Sequence, residues 1–154
     1  MNIGFTIGKF APLHLGHDEL IRRGIEENDL FYILINNTDV IDIPLDDRAK
    51  WLSEIYPEAI ILKGYNPPKK YGMDKESIEI QINYLKEVFK DIPVNRFYSG
   101  EDYGYYVSKY MGVDFIKVEK NIPVCATNIR NDLDSNKQFI LKDVYNSIKE
   151  KKNL

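Results

Sequence analysis

The sequence predicts an α/β protein built on a doubly wound, five-stranded parallel sheet. Three observations predict it. Apolar runs alternate with amphipathic ones about five times along 154 residues, the order that places helices on both faces of a parallel sheet. The run Leu30 to Ile35 is apolar without a break, as suits a strand buried on both faces. The first strand runs into a turn holding two glycines before a helix, and ligands of such sheets bind at the carboxyl ends of the strands.

The elements follow in order. Ile3 to Ile7 is the first strand, and a helix runs from about Asp18 to Glu27. Leu30 to Ile35 is the second strand, ended by Asn36-Asn37-Thr38-Asp39. Asp46-Asp47 opens a helix with Ala49, Trp51, Leu52 and Ile55 apolar, stopped by Pro57. Ala59 to Leu62 is the third strand, and Gly64 to Gly72 is a loop with Pro67-Pro68 and Lys69-Lys70. A longer helix from about Lys75 to Lys90 sets Ile78, Ile82, Leu85 and Phe89 on one face. Arg96 to Tyr98 is the fourth strand. Tyr105 to Met111 is a short helix closed by Gly112, and Val113 to Val118 is the fifth strand. A helix begins at Thr127, and Gln138 to Lys149 forms a last amphipathic helix before a polar tail from about Lys149. No linker, repeat or low-complexity stretch intervenes, so a single domain covers residues 1–154.

Hydrophobic residues make up 44% and charged ones 29%, ordinary for a soluble globular protein. A net charge of −3 argues against non-specific nucleic-acid binding, which wants a basic surface. It leaves room for a small anionic substrate held by a few local cations. The one cysteine, Cys125, excludes a disulfide within the chain and a thiolate cluster. No apolar run approaches the length of a membrane span, and the N-terminus enters a strand pattern rather than a signal peptide. The expectation is a cytoplasmic protein with no membrane or nucleic-acid partner.

Between first strand and first helix stands Gly8-Lys9-Phe10-Ala11-Pro12-Leu13-His14-Leu15-Gly16-His17. Free backbone N–H groups, the helix dipole and the lack of Cβ atoms at the glycines suit this corner to phosphates. His14 and His17, the only two histidines, share one face if the helix has begun. Two imidazoles with Lys9 make an anion clamp for a polyphosphate. The alternative is structural: imidazoles that cap a helix or face solvent.

A second segment, Pro123-Val124-Cys125-Ala126-Thr127-Asn128-Ile129-Arg130, follows the fifth strand and should face the same sheet edge. Thr127 can cap the helix or give its hydroxyl to a phosphate oxygen, and Arg130 can offer a bidentate fork. The alternative is a capped helix with a solvated arginine. A third segment, Tyr98-Ser99-Gly100-Glu101-Asp102-Tyr103-Gly104, is either a plain polar turn or the border of a nucleotide base.

Gly8, Phe10, Pro12, His14, Gly16 and His17 spell G-x-F-x-P-x-H-x-G-H without a break. On that motif the chain resembles the nucleotidyltransferase superfamily with the HxGH motif, which includes adenylyltransferases and cytidylyltransferases. Cys125 to Arg130 looks like that superfamily's I-S-x-T-x-I-R segment, with cysteine where a serine is usual. The Gly-Lys-Phe start, the 98–104 turn and Asp47-Arg48-Ala49-Lys50-Trp51-Leu52 resemble one branch, the adenylyltransferase half of bacterial bifunctional enzymes that also carry a ribosylnicotinamide kinase. So does Val118-Glu119-Lys120, where that branch has an acidic residue followed by an arginine. The branch's tryptophans are missing from the third-helix region, which offers Tyr65, Tyr71 and Tyr84 instead.

The resemblance implies a Rossmann-like nucleotidyltransferase fold and transfer of a nucleotidyl group to a phosphorylated acceptor, with release of pyrophosphate. It implies His14 and His17 at phosphate oxygens, His17 nearest the α-phosphate, and Lys9, Thr127 and Arg130 at the β- and γ-phosphates. Ile7, Gly8, Phe10, Gly16, Ser99, Glu101, Tyr103 and Cys125 would complete the nucleotide site. Arg48, Lys120 and Trp51 are the acceptor-side candidates, with a surface helix ion pair as the alternative for Arg48. Mg²⁺ would arrive on the nucleotide phosphates. The preferred substrates are ATP and nicotinamide mononucleotide, giving NAD. A CTP-dependent enzyme, a flavin-forming adenylyltransferase and a nucleotide-binding regulator without turnover are the alternatives. Members often associate, which leaves a homo-oligomer open. The reading requires His14 and His17 to share a sheet edge with Arg130.

Overall fold

A computed structural model describes residues 1–69 and 72–152. Lys70, Tyr71 and the end of the polar tail, Asn153 and Leu154, lie outside the described residues. Five strands form one sheet: β1 (Ile3–Gly8), β2 (Leu30–Asn36), β3 (Ile60–Gly64), β4 (Arg96–Ser99) and β5 (Asp114–Lys117). Every pairing is parallel, in the order β3-β2-β1-β4-β5. The helices are α1 (Leu15–Glu27), α2 (Leu45–Ile55), α3 (Lys75–Val88), α4 (Gly104–Met111), α5 (Ala126–Asn131) and α6 (Lys142–Lys152).

The sheet is covered on both faces. On one, Phe31, Ile33 and Ile35 of β2 pack with Ile21 of α1, Leu52 of α2, Ile129 of α5 and Val144 and Ile148 of α6. On the other, Phe5 and Leu34 pack with Ile78, Ile82 and Leu85 of α3 and Val107 of α4. Ile33, Leu34 and Ile35 are consecutive and all fully buried, which explains the unbroken apolar run of β2. No helix among the described residues is long and apolar enough to cross a membrane.

The element reading holds, with shifted ends. Ala59 is not in β3; its N–H bonds the Tyr56 carbonyl in the turn after α2. At their other ends β2 and β3 stay paired through Asn36 and Gly64, past the apolar stretch. Gly112 closes α4 with φ +69, a left-handed conformation that costs glycine little. The last helix does not begin at Gln138. Asp134–Phe139 is a 3-10 turn, Ile140 is extended and buried, and α6 starts at Lys142. A single helical period cannot be drawn through that break.

Candidate active site

The chain leaves β1 for β2 and β3 on one side and for β4 and β5 on the other, so the switch point lies between β1 and β4. There the Thr6 hydroxyl donates to the Tyr98 carbonyl at 2.8 Å. The turn after β1 is tight. Phe10 holds a left-handed φ of +47, a sparsely populated conformation for a bulky side chain, and its ring is 3% exposed.

The two histidines build the start of α1 between them. His14 is the N-cap, and its Nδ1 accepts from the backbone N–H groups of Gly16 (3.1 Å) and His17 (3.4 Å). His17 Nδ1 in turn accepts from the N–H of His14 at 3.2 Å. This reciprocal arrangement is a capping box made of imidazoles. The rings stack 3.6 Å apart at 20°, and Phe10 meets His17 edge-on at 4.9 Å. A Cβ at position 16 would stand 2.9 Å from His14 Cε1, so only glycine lets the ring lie here.

Because both Nδ1 atoms accept, the hydrogen-bond network assigns each neutral ring its proton on Nε2. Burial, and then the charge of Lys120, holds His14 down from 6.5 to about 4. Burial, then His14 and Lys120, holds His17 well below the ordinary histidine value. At neutral pH both rings are therefore uncharged Nε2–H donors. The two readings of the pair, helix cap and anion contact, use different nitrogens and hold together.

These rings line a cavity of about 300 Å³ over the carboxyl ends of β1, β4 and β5. Thr6, Ile7, Phe10, Gly16, Ser99, Glu101, Lys120 and Cys125 line it too. Lys120 pairs with Glu101 at 2.5 Å, joining the loops after β5 and β4. Lys120 is thus a neighbour of the histidines, where the acceptor side had been expected. Arg130 sits against the same turn: its Nη1 donates to the Ala11 carbonyl at 2.8 Å and its Nη2 to Thr127 Oγ1 at 3.3 Å. Thr127 does not cap α5. The N-cap is Cys125, exposed and without a side-chain bond, and the Thr127 hydroxyl serves Arg130. Neither Thr127 nor Arg130 lines the histidine cavity itself; Arg130 borders a separate space beside Pro12, Ile43 and Leu133.

On the other side of the β1 end lies a second cavity of about 180 Å³, bounded by Gly8, Lys9, Asn36, Pro67, Tyr84 and Tyr103. Ile7 borders both spaces. Lys9 and Tyr103, expected at the nucleotide, line this second space. Arg48 is not a surface ion-pair residue. It is fully buried, its Nε donates to the Ile43 carbonyl at 3.0 Å, and its Nη1 donates to the Lys9 carbonyl and, at 3.5 Å, to that of Asn36. Its Nη2 is buried without a partner. Trp51 lines neither cavity; it is buried between α2 and α6, where its indole N–H donates to Ser147 at 3.0 Å.

Sequence reasoning missed Thr6, Asn36 and Gln81 as cavity-lining residues. The available signal was position: each lies on or near the carboxyl edge of the sheet, except Gln81, which reaches in from α3. Tyr84 was noted only as a substitute aromatic, and Tyr65 is exposed and donates to Asp46 at 2.7 Å. Among the described residues no three His, Cys, Asp or Glu side chains are grouped to hold a metal ion.

The chain matches no protein-family model. It is 32% identical over 91 residues to the trifunctional NAD biosynthesis/regulator protein NadR of Salmonella typhimurium, over 47% of this chain and 22% of that protein. It is 33% identical over 109 residues to phosphopantetheine adenylyltransferase of Flavobacterium psychrophilum, over 71% of this chain and 52% of that one. The matches thus span about a fifth and about half of the relatives' own lengths. A solved bifunctional NMN adenylyltransferase/ADP ribose pyrophosphatase from Francisella tularensis superposes with a TM-score of 0.75 at 18% identity, over 99% of this chain and 50% of that one. The same protein has been solved with AMP and a manganese ion. At that identity the likeness concerns the fold.

Proposed function

We propose that this chain, which belongs to the nucleotidyltransferase superfamily with the HxGH motif, is an adenylyltransferase that joins AMP from ATP to nicotinamide mononucleotide, giving NAD and pyrophosphate. One observation carries the reading: two neutral imidazoles at the switch point, each locked by its Nδ1 into the helix cap and each left with an Nε2–H beside the cavity.

The acceptor phosphate is already a nucleophile at neutral pH, so no general base is needed. One of its oxygens forms a bond to the α-phosphorus, the bond from that phosphorus to the bridging β-phosphate oxygen breaks, and pyrophosphate leaves. The work left to the protein is alignment and charge stabilisation. His17 and His14 would donate to oxygens on which charge builds, His17 at the α-phosphate. Lys120, freed from Glu101, and Arg130 would add positive charge along the triphosphate. Ser99 and Gly100, at the end of β4, would border the base.

With no metal-binding group of His, Cys, Asp or Glu among the described residues, a divalent ion would be held by the phosphate oxygens and its own waters, and would supply charge neutralisation there. The likeness to a protein solved with AMP and manganese supports use of a divalent ion, with Mg²⁺ our choice.

The acceptor would enter from the second cavity. Its size and its aromatic and amide walls suit a single flat ring better than a long flexible arm such as phosphopantetheine. The relative that matches the larger share of this chain is named for the latter substrate, so both belong in the test. Each of ATP and CTP is incubated with Mg²⁺ and a panel of phosphorylated acceptors, and pyrophosphate release is followed. Release with ATP and nicotinamide mononucleotide is expected. Release only with CTP, or only with phosphopantetheine, overturns the substrate; no release with any pair favours a regulator.

A further inference from the structure

We propose that Asn36 is a specificity-determining residue for the acceptor, donating from its amide nitrogen to a carbonyl oxygen on the acceptor's ring, and that Tyr84 is the positioning residue that aims it. The inference rests on the second cavity being the acceptor's seat.

Asn36 is the last residue of β2, at the carboxyl edge of the sheet, and lies opposite Gly64 in the ladder. Its backbone is held in that pairing, and its carbonyl faces the Arg48 guanidinium. Tyr84 reaches from α3, and its hydroxyl donates to Asn36 Oδ1 at 2.7 Å. That bond occupies the amide's acceptor end and turns Nδ2, with its two N–H groups, the other way. Nδ2 has no hydrogen-bond partner among the described residues, while Asn36 lines the cavity.

Position 64 shows that this pair is built rather than incidental. A Cβ there would stand 2.3 Å from Tyr84 Oη and 2.4 Å from Asn36 Oδ1. Any residue but glycine would displace the tyrosine, the amide or both. Three elements, β2, β3 and α3, are therefore committed to one hydrogen bond whose effect is to present a donor.

The surroundings say what that donor meets. The cavity has the Tyr84 and Tyr103 rings, Pro67 and Pro68 as flat apolar surface, and no carboxylate among its described lining residues. Such a space suits a planar ring bearing an oxygen acceptor. A carboxamide and a carboxylate both supply that oxygen; a bare ring does not. A ring without the oxygen would bury Nδ2 unpaired, which is the expensive outcome.

The test compares nicotinamide mononucleotide, nicotinate mononucleotide and pyridine mononucleotide as acceptors with ATP, by pyrophosphate release. The wild-type chain is expected to favour the two carbonyl-bearing acceptors over the bare pyridine by about tenfold or more in kcat/KM. Asn36→Asp keeps an oxygen for the Tyr84 hydroxyl but replaces the donor with an anion. It is expected to erase that preference, with nicotinate mononucleotide hit hardest, and to leave the KM for ATP unmoved. Tyr84→Phe frees the amide to turn and is expected to give an intermediate preference, through acceptor KM. An Asn36→Asp protein that keeps the wild-type ratio, or a wild-type protein indifferent to the carbonyl, overturns the assignment while the adenylyltransferase reading stands. Release with phosphopantetheine but with none of the three pyridine nucleotides overturns the acceptor reading and this assignment together.

Discussion

Acid should weaken this fold through its histidine cap, and the size of the effect follows from the geometry. His14 is 8% exposed, and its Nδ1 accepts two backbone N–H groups. A proton on that nitrogen would turn both bonds into clashes. Burial, and then the charge of Lys120, holds the ring in the folded chain at about 4, against the ordinary 6.5. Where the pH lies between those values the unfolded chain binds more protons than the folded one, so stability rises with pH. The contribution is fully present above about 6.5 and is lost as pH falls through about 4. At 1.36 kcal/mol per unit, the full shift corresponds to about 3 kcal/mol. That is a large share of the roughly 5–15 kcal/mol that holds a domain together. His17 adds in the same direction, because burial and its neighbours lower it too.

The control is His14→Asn, which keeps an oxygen to accept the cap bonds and does not titrate. Urea unfolding of both proteins is followed from pH 7.5 to 4.5. The difference in stability between them is expected to shift by about 2–3 kcal/mol against the wild type over that range. Parallel curves would refute the lowered His14 pKa, and with it the neutral ring on which the proposed chemistry rests.

Three further outcomes are expected. His17→Ala, with its fold checked by circular dichroism, should lose two to three decades in kcat, or on the order of 3–4 kcal/mol of transition-state stabilisation; near-normal turnover would reject its role. Gly16→Ala would set a Cβ 2.9 Å from His14 Cε1, so steady-state kinetics should show at least about a tenfold fall in kcat with a smaller loss in Tm than in activity. Arg48→Met would strip the donors from the Lys9, Asn36 and Ile43 carbonyls and should lower unfolding stability in urea by on the order of 2 kcal/mol, an effect a surface arginine would not give.

The sheet could be read from the chain because its signals are local. Ile33, Leu34 and Ile35 had to be buried on both faces, and Gly112 had to end a helix. The histidine turn was equally readable, since two glycines, a proline and two histidines at fixed spacing constrain the backbone directly. What the sequence could not carry was orientation. It offered helix cap and phosphate ligand as alternatives for His14, although one ring serves the first through Nδ1 and presents the other nitrogen beside the cavity. Arg48 looked like an acceptor-phosphate contact or a surface ion pair; its burial depends on the Lys9, Asn36 and Ile43 carbonyls, brought together from the turn after β1, the end of β2 and the loop before α2. Asn36 looked like the end of a strand, because nothing nearby in sequence announces Tyr84, 48 residues on. Thr127 was offered as the cap of α5 but stands two residues past the true cap, Cys125, whose side chain announces nothing.

The end of β1 is a partition. Ile7 faces a room on either side, and the strand continues past it as Gly8, which offers no side chain to block the way. Two reactants entering by separate doors would meet over that single residue without displacing one another. Either could arrive first. On the proposed reaction their joined product would straddle the partition, gripped from both rooms, and departure rather than bond making would be the step that this floor plan slows.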